Sequence, residues 1–193
     1  MKKEFLMNSI CPWALGDPLL RGYHDTEWGV PCHDDTMLFE LLCLEGAQAG
    51  LSWLTILKRR EGYRKAFRNF SIRACAALTD DELEEIRLHG DVIRNRLKIA
   101  SVRKNARVVQ EIQQEFGSFD IYVWHFTEGK QIRNAWNDQG DMPAQSKLSE
   151  HISRDLKKRG ASFVGPVIMY SFLQAAGVLN DHMASCPCGD GAY

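Results

Sequence analysis

Residues 79–112 read TDDELEEIRLHGDVIRNRLKIASVRKNARVVQEI, and this stretch decides the fold. Thr79 and Glu82 have the spacing of a capping box, which predicts that a short acidic helix begins here and ends near Gly90. After the glycine, apolar residues recur at helical spacing between lysines and arginines: Ile93, Leu97, Ala100, Val108 and Ile112. The stretch therefore predicts an acidic helix, a tight turn and a longer basic helix.

The remainder of the chain has the same helical character, without a run of alternating polar and apolar residues long enough to insist on a sheet. Asp34 can cap a helix over 37–44, and Ser52 can begin another after a tight connection at 46–53. Apolar spacing predicts a further helix over 148–156. We therefore predict an all-α fold in which residues 1–193 form a single compact domain with two helical lobes.

Two further segments bear on this prediction. Residues 160–180 carry no charge and are long enough to suggest a transmembrane helix. Their glycines and polar side chains favour a buried core helix instead, so no membrane partner is expected. Residues 134–146 are rich in Asn, Asp, Gly, Pro and Gln, and are predicted to be the one extended loop.

Length and composition suit one domain, because 193 residues with 45% apolar content can build a core. The net charge of −1 excludes the strongly basic balance of many nucleic-acid-binding proteins, although basic patches occur at 58–65, 94–107 and 157–159. The first thirty residues lack the apolar run of a secretion signal. Six cysteines in such a chain indicate thiols or metal ligands in a reducing cytoplasm, where a monomer is the simplest expectation.

Four residues near the ends of the chain form a candidate metal site. They are Cys11, His24, His182 and Cys186, a ligand set suited to tetrahedral Zn²⁺. The His-x3-Cys spacing would place the last two on one face of a helical turn, and a bound ion would join the two termini. The alternative is two half-buried thiols and two surface imidazoles, and Cys32, His33 or Cys188 could replace a ligand.

Aromatic residues are concentrated in the first part of the chain, close to the acids Glu27 and Glu45. The four are Trp13, Tyr23, Trp28 and Trp53. A purely structural core would use more Leu and Ile, so this group indicates a stacking surface, although each aromatic could also pack in the core. Glu45 follows the apolar run 41–44 directly, and a buried carboxylate there would be costly without a partner.

The helix pair around Gly90 is a plausible helix-hairpin-helix, a motif that presents backbone N–H groups to a DNA phosphate. The stretch lacks the paired glycines of a strong hairpin motif. An ordinary helix pair therefore remains the alternative.

Four blocks resemble the 3-methyladenine DNA glycosylase I family: YHDTEWGVP at 23–31, LEGAQAGLSW at 44–53, LKKRGASFVG at 156–165 and NDH at 180–182. With the flanking cysteines, the resemblance extends from residue 11 to residue 186. It implies a helix-hairpin-helix DNA glycosylase fold and a monofunctional enzyme that hydrolytically removes 3-methyladenine from alkylated double-stranded DNA, which initiates base excision repair. Pro166 and the pair 161–162 depart from the family pattern, which puts local helix geometry in doubt more than activity.

The resemblance also implies roles for individual residues. A structural Zn²⁺ would be held by the positions Cys11, His24, His182 and Cys186. The base would lie among Trp13, Tyr23, Trp28 and Trp53, with Glu45 accepting from its exocyclic amine and only secondarily assisting hydrolysis. Gln48 and Leu51 are expected to fill the gap that the flipped base leaves in the duplex. Since His24 directly follows Tyr23, the metal would also fix one wall of the pocket.

Overall fold

The computed structural model describes residues 10–190, in which ten α-helices follow one another: α1 (Pro18–Thr26), α2 (Asp35–Gln48), α3 (Trp53–Leu57), α4 (Arg60–Ala66), α5 (Ile72–Ala76), α6 (Asp80–His89), α7 (Arg96–Phe116), α8 (Phe119–His125), α9 (Lys147–Lys158) and α10 (Pro166–Ala175). Short 3-10 helices occur at Pro12–Leu15, Arg68–Phe70, Gln139–Asp141 and Pro187–Asp190. The protein is therefore mostly helical, as the hydrophobic spacing predicts.

One small sheet interrupts the helical pattern. Strands β1 (Ile132–Arg133) and β2 (Leu179–Asn180) pair in parallel, with Ile132 opposite Leu179. The expectation of a structure without strands is wrong at this point, because two-residue strands are too short to show an alternating pattern. The pairing attaches the segment after α10 to the segment before the loop 134–146.

Helix α2 is the centre of the fold. Asp34 caps it, since its carboxylate accepts from the backbone N–H of Met37 at 2.8 Å. Every residue from 38 to 47 is buried, and α7, α8 and α10 all pack against this helix. A helix that is covered on all sides carries its polar residues into the interior, and Glu45 is one of them.

The acidic helix α6 has the predicted boundaries. The Thr79 hydroxyl accepts from the N–H of Glu82, whose carboxylate accepts from the N–H of Thr79, so the capping box is confirmed. Asn95 caps α7, and the buried face of α7 includes Ile99, Val102, Ala106, Val109 and Ile112. The predicted stripe is wrong at its start, because residue 93 precedes the helix and Leu97 is 71% exposed.

The uncharged segment 160–180 contains a shorter helix than expected. It is limited to α10, which starts after Gly165 with Pro166 in its first turn and ends before Gly177. Gly177 has a φ of +70°, and a Cβ there would lie 2.2 Å from the backbone of Val30, so the close approach of the two segments requires glycine. Among residues 10–190, no helix is long and apolar enough to cross a membrane.

Candidate active site

A cavity of about 190 Å³ opens beside the carboxyl-terminal half of α2. Its lining comprises Trp13, Tyr23, Trp28, Glu45, Gln48, Trp53, Met142, Ser171 and Gln174. The structure thus brings together the four aromatics with Glu45 and Gln48, which the sequence separates by up to 40 positions. The cavity is concave and largely aromatic with a few polar groups, which is the usual form of a small-ligand site.

Three lining residues were missed by the sequence analysis. Met142 lies in the segment predicted only as a loop, and Ser171 and Gln174 lie in the segment predicted only as core. The two polar residues are three positions apart on an otherwise apolar helix, so they share one face. That spacing was the available signal for a polar wall.

The aromatic side chains form a connected wall. The rings of Trp13 and Trp28 meet edge to face, with their centroids 5.0 Å apart. Tyr23 lies between Trp13 at 6.3 Å and Trp53 at 5.3 Å. The indole nitrogen of Trp53 is buried and has no hydrogen-bond partner among the described residues. A bound polar group or a water molecule would satisfy this donor.

Glu45 faces this cavity. Glu45 is only 4% exposed, and no side chain or backbone group in residues 10–190 makes a hydrogen bond to its carboxyl group. Burial alone raises the pKa of Glu45 to about 8. The carboxyl group is therefore mostly protonated at neutral pH, when it can donate one hydrogen bond as well as accept.

Tyr23 and Glu27 lie four positions apart in the same block of sequence but differ in their surroundings. Burial, reinforced by the charges of Glu45 and Glu27, raises the pKa of Tyr23 well above its usual range, so its hydroxyl remains a donor. Glu27 is committed elsewhere, because Arg60 donates to both of its carboxylate oxygens at 2.9 and 2.7 Å. Arg60 also donates to the buried Glu40 at 2.5 Å, so this group is a structural ion network beside the pocket.

The turn after α2 carries Gln48 and Leu51. Helix α2 continues to Gln48 rather than ending at Gly46, which sits inside it against Phe163. The tight connection is therefore limited to residues 49–52, where Gly50 has a φ of +77°. Leu51 is 39% exposed and lines a second cavity of about 140 Å³ that shares Glu45, Gln48 and Ser171 with the first.

Lys98 fixes this turn from α7. Its ammonium group donates to the carbonyl oxygens of Ala47 at 2.9 Å and Ala49 at 2.6 Å, which caps the end of α2. Lys98 is buried, and desolvation lowers its pKa. The basic helix is thereby attached to the turn that carries Leu51.

Replacement of this capping side chain should destabilise the protein. We expect Lys98→Met to lower the free energy of unfolding by about 1–3 kcal/mol, because two carbonyl groups lose their donor. The exposed Lys104→Met on the same helix is the matched control, with a change within about 0.5 kcal/mol. Urea denaturation measures both, and equal stability of the two variants would contradict the capping role.

Cys11, His24, His182 and Cys186 come together as a buried cluster, with their donor atoms all within 4.8 Å of one another. His182 Nδ1 lies 3.1 Å from His24 Nε2, and Cys186 Sγ lies 3.5 Å from His24 Nε2. Cys11 Sγ lies 3.7 Å from His182 Nδ1. Such a cluster of two thiols and two imidazoles can hold a metal ion.

The second nitrogen of each imidazole has an oxygen acceptor outside the cluster. His24 Nδ1 lies 2.7 Å from the carboxylate of Asp25, and His182 Nε2 lies 3.0 Å from the carbonyl oxygen of Trp28. Each outer nitrogen therefore keeps its hydrogen, and the inner nitrogen presents a lone pair to the cluster. This arrangement also ties the cluster to the pocket, because Trp28 is a pocket wall and Tyr23 precedes His24.

One detail differs from the sequence prediction. His182 and Cys186 are joined by a turn, in which the N–H of Cys186 donates to the carbonyl oxygen of Met183, and no helix spans them. The alternative ligands take other positions. His33 binds Asp120 at 2.8 Å and Cys32 packs against the main core, whereas Cys188 borders the cluster in a second group with His24 and Asp25.

The mostly helical fold contains an aromatic cavity around a carboxyl group that has no hydrogen-bond partner among residues 10–190. A turn with an exposed apolar side chain lies beside it. Such a site is suited to a nucleobase taken out of a duplex. These are the features of a base-excising DNA glycosylase. The chain belongs to the methyladenine glycosylase family, whose model matches residues 13–189.

Individual relatives are similar over nearly their whole length. The chain is 42% identical to DNA-3-methyladenine glycosylase 1 of Escherichia coli, covering 94% of this chain and 97% of the relative. It is 38% identical to DNA-3-methyladenine glycosylase of Haemophilus influenzae, covering 94% and 98%. A solved structure describing 3-methyladenine recognition by 3-methyladenine DNA glycosylase I from Staphylococcus aureus matches with a TM-score of 0.90 at 36% identity, covering 94% and 96%.

Proposed function

We propose that this protein is a monofunctional DNA glycosylase that hydrolyses the N-glycosidic bond of 3-methyladenine in alkylated double-stranded DNA and so initiates base excision repair. The observation that carries the proposal is the aromatic cavity around the buried carboxyl group of Glu45, which has no hydrogen-bond partner in the described part of the chain. The relatives named DNA-3-methyladenine glycosylase, at 38–42% identity over nearly the full length, support the same activity.

The chemistry suits a pocket with little acid–base machinery. Methylation at N3 leaves adenine cationic in the nucleotide, so the base can depart as a neutral molecule without being protonated. Water adds to C1′ of the deoxyribose as the bond from C1′ to the base breaks, the bonding electrons leave with 3-methyladenine, and the water loses a proton to solvent. The protein therefore has to bind and orient the cationic base, which aromatic faces do through their negative quadrupole.

Glu45 supplies the polar contact to the base. Its ionised form accepts a hydrogen bond from the exocyclic amine and lowers the energy of the cation beside it. Tyr23, held as a neutral hydroxyl beside Glu45, offers a donor to the same region of the pocket. Trp13, Trp28 and Trp53 complete the aromatic wall and exclude water from the bound base.

Base flipping leaves a gap in the duplex, and unstacking costs on the order of a few kcal/mol. Leu51 is 39% exposed and lines the neighbouring cavity that shares Glu45 with the base pocket, and we expect it to enter this gap as an apolar wedge. Gln48, half-buried on the last turn of α2, can contact the bases that remain paired. The helix pair α6 and α7 acts as the helix-hairpin-helix, with Arg94 and Arg96 exposed near its turn for phosphate contacts.

The buried Cys/His cluster holds a structural Zn²⁺. Tetrahedral zinc, with bonds of about 2.0 Å to nitrogen and about 2.3 Å to sulfur, would separate two nitrogens by about 3.3 Å and a nitrogen from a sulfur by about 3.5 Å. The corresponding distances in the cluster are 3.1 Å and 3.5–3.7 Å. Cys11, His24, His182 and Cys186 would hold the ion with no position left for a water molecule, so its role would be structural: it would join the two ends of the chain and fix the Tyr23 wall. The enzyme acts as a cytoplasmic monomer, where thiols stay reduced.

The activity is tested by incubating the protein, in excess over lesions, with methylated duplex DNA and identifying the released bases by chromatography. We expect free 3-methyladenine from methylated DNA and no base from an unmethylated duplex of the same sequence. Absence of free 3-methyladenine under these conditions would overturn the proposal.

A further inference from the structure

We propose that Gln174 determines which purine the pocket accepts, by presenting a fixed carbonyl oxygen that pairs with the exocyclic amine of an adenine-type base and rejects a base with an oxygen at that position. The inference rests on the proposed function, because it concerns the base that the same pocket binds. It adds a specificity residue that the sequence motifs do not indicate.

The amide nitrogen of Gln174 has protein partners for both of its hydrogens. Gln174 lies on α10 and is 7% exposed. Its Nε2 atom donates to the carboxylate of Asp181 at 2.7 Å and faces the sulfur of Met142 at 3.2 Å. A carboxylate oxygen can only accept, so the nitrogen end of the amide must face Asp181. A flipped amide would place two acceptor oxygens against each other.

Asp181 is itself held rigidly, which keeps the amide in place. Its carboxylate is fully buried and accepts four hydrogen bonds. Asn134 and Trp136 donate to Oδ1 at 2.5 and 3.0 Å, while Tyr170 and Gln174 donate to Oδ2 at 2.6 and 2.7 Å. A buried anion with this many donors does not turn to suit a new partner.

The carbonyl oxygen of Gln174 is left for a ligand. Among residues 10–190, no group donates a hydrogen bond to Gln174 Oε1. The oxygen is nevertheless not fully buried, because the only fully buried side-chain N or O atom without a partner in this range is Trp53 Nε1. The oxygen therefore reaches open space, and Gln174 lines the base pocket. The pocket thus contains one acceptor whose orientation is set by the protein.

A fixed acceptor does what Glu45 cannot do. The pKa of Glu45 is about 8, so its carboxyl group can donate when protonated or accept when ionised, and it can adapt to an amine or to a carbonyl oxygen. Gln174 Oε1 accepts only. An amine at C6 of the purine satisfies it, whereas an oxygen at C6 leaves two lone pairs opposed, a mismatch that polar sites reject strongly.

The test compares two free bases with an amine or an oxygen at C6, 3-methyladenine and 3-methylhypoxanthine, with binding measured by quenching of the pocket tryptophans. Wild-type protein should bind the amine at least tenfold more tightly. Gln174→Met, of similar volume, should reduce this preference by about tenfold by weakening 3-methyladenine binding alone. Gln174→Leu is the second variant and should behave in the same way. Loss of both affinities in equal proportion, or an unchanged preference in a folded variant, would overturn the inference.

Asn134→Ala is the matched control, because it removes another donor to Asp181 without changing the group that lines the pocket. We expect the control to keep the preference for the amine. An equal loss of preference in Asn134→Ala would assign the effect to Asp181 and not to the acceptor. Release of 3-methyladenine from methylated DNA by the wild-type protein is measured in parallel. No release would contradict the proposed function, whereas release with an unchanged preference in the variants contradicts only the role of Gln174.

Discussion

Glu45→Gln should remove most of the excision activity and at the same time make the protein more stable at neutral and alkaline pH. The loss arises because glutamine cannot become the anion that stabilises a cationic base. A hydrogen bond to a charged group contributes about 1.5–3 kcal/mol, so the single-turnover rate of 3-methyladenine release should fall by about 10- to 100-fold. Rapid-quench measurement of released base gives this rate, and an unchanged rate would contradict the role of Glu45.

The gain in stability follows from the pKa of the same group. Burial raises the pKa of Glu45 from 4.5 to about 8. Between these two pH values the carboxyl group is protonated in the folded protein and ionised in the unfolded chain. The contribution of Glu45 to the free energy of unfolding of the wild type is therefore fully present below about pH 4.5 and is lost as the pH rises to about 8. Glutamine stays neutral, so the advantage of the variant should grow over the same window and reach the order of several kcal/mol above it.

Thermal unfolding at pH 5, 7 and 9 tests this opposition of activity and stability. The matched control is Glu111→Gln, an exposed acid on α7, for which neither the melting temperature nor the release rate should change appreciably. If Glu45→Gln has the same melting temperature as the wild type at every pH, the carboxyl group is not desolvated as described.

Loss of the metal is the second large effect. Cys186→Ala removes one of the four donors of the proposed zinc site, and we expect less than one bound zinc per chain with a loss of several kcal/mol of unfolding free energy, because metal binding is coupled to folding. Affinity for 3-methyladenine should also fall, since His24 and Tyr23 are adjacent and Trp28 accepts from His182. Metal analysis, thermal unfolding and base binding measure the three effects.

Cys188→Ala is the control for the ligand assignment. Cys188 is half-buried and lies outside the group of four, so this variant should keep one zinc and the stability of the wild type. Full zinc occupancy in Cys186→Ala together with loss in Cys188→Ala would reverse the assignment. Removal of zinc from the wild type with a chelator should reproduce the Cys186→Ala result.

Local signals in the sequence predict the helix boundaries well. The caps at Thr79, Asp34 and Ser52 all form as expected, because a capping hydrogen bond involves residues within one turn. The face that a helix buries is less local. Leu97 fits the helical spacing of its neighbours and is nevertheless exposed, since packing against α2 and α5 selects the face of α7.

The site shows the same division between local and long-range information. Residue types that are unusual for a core, such as the tryptophans and Glu45, indicate a pocket from sequence, and the structure brings them into one cavity. Gln174 could not be identified in this way, because its proposed role depends on contacts with Asp181 and with Met142 of a distant loop. The turn between His182 and Cys186 was likewise unpredictable, since spacing i to i+4 fits a helix as well.

The most direct test of the account is a crystal structure of the protein with 3-methyladenine bound. We predict the base in the cavity beside Tyr23 and Trp53, with its exocyclic amine within hydrogen-bond distance of the carboxyl group of Glu45 and of Gln174 Oε1. A base bound outside this cavity, or one in the cavity with its amine turned away from Glu45, would contradict the account.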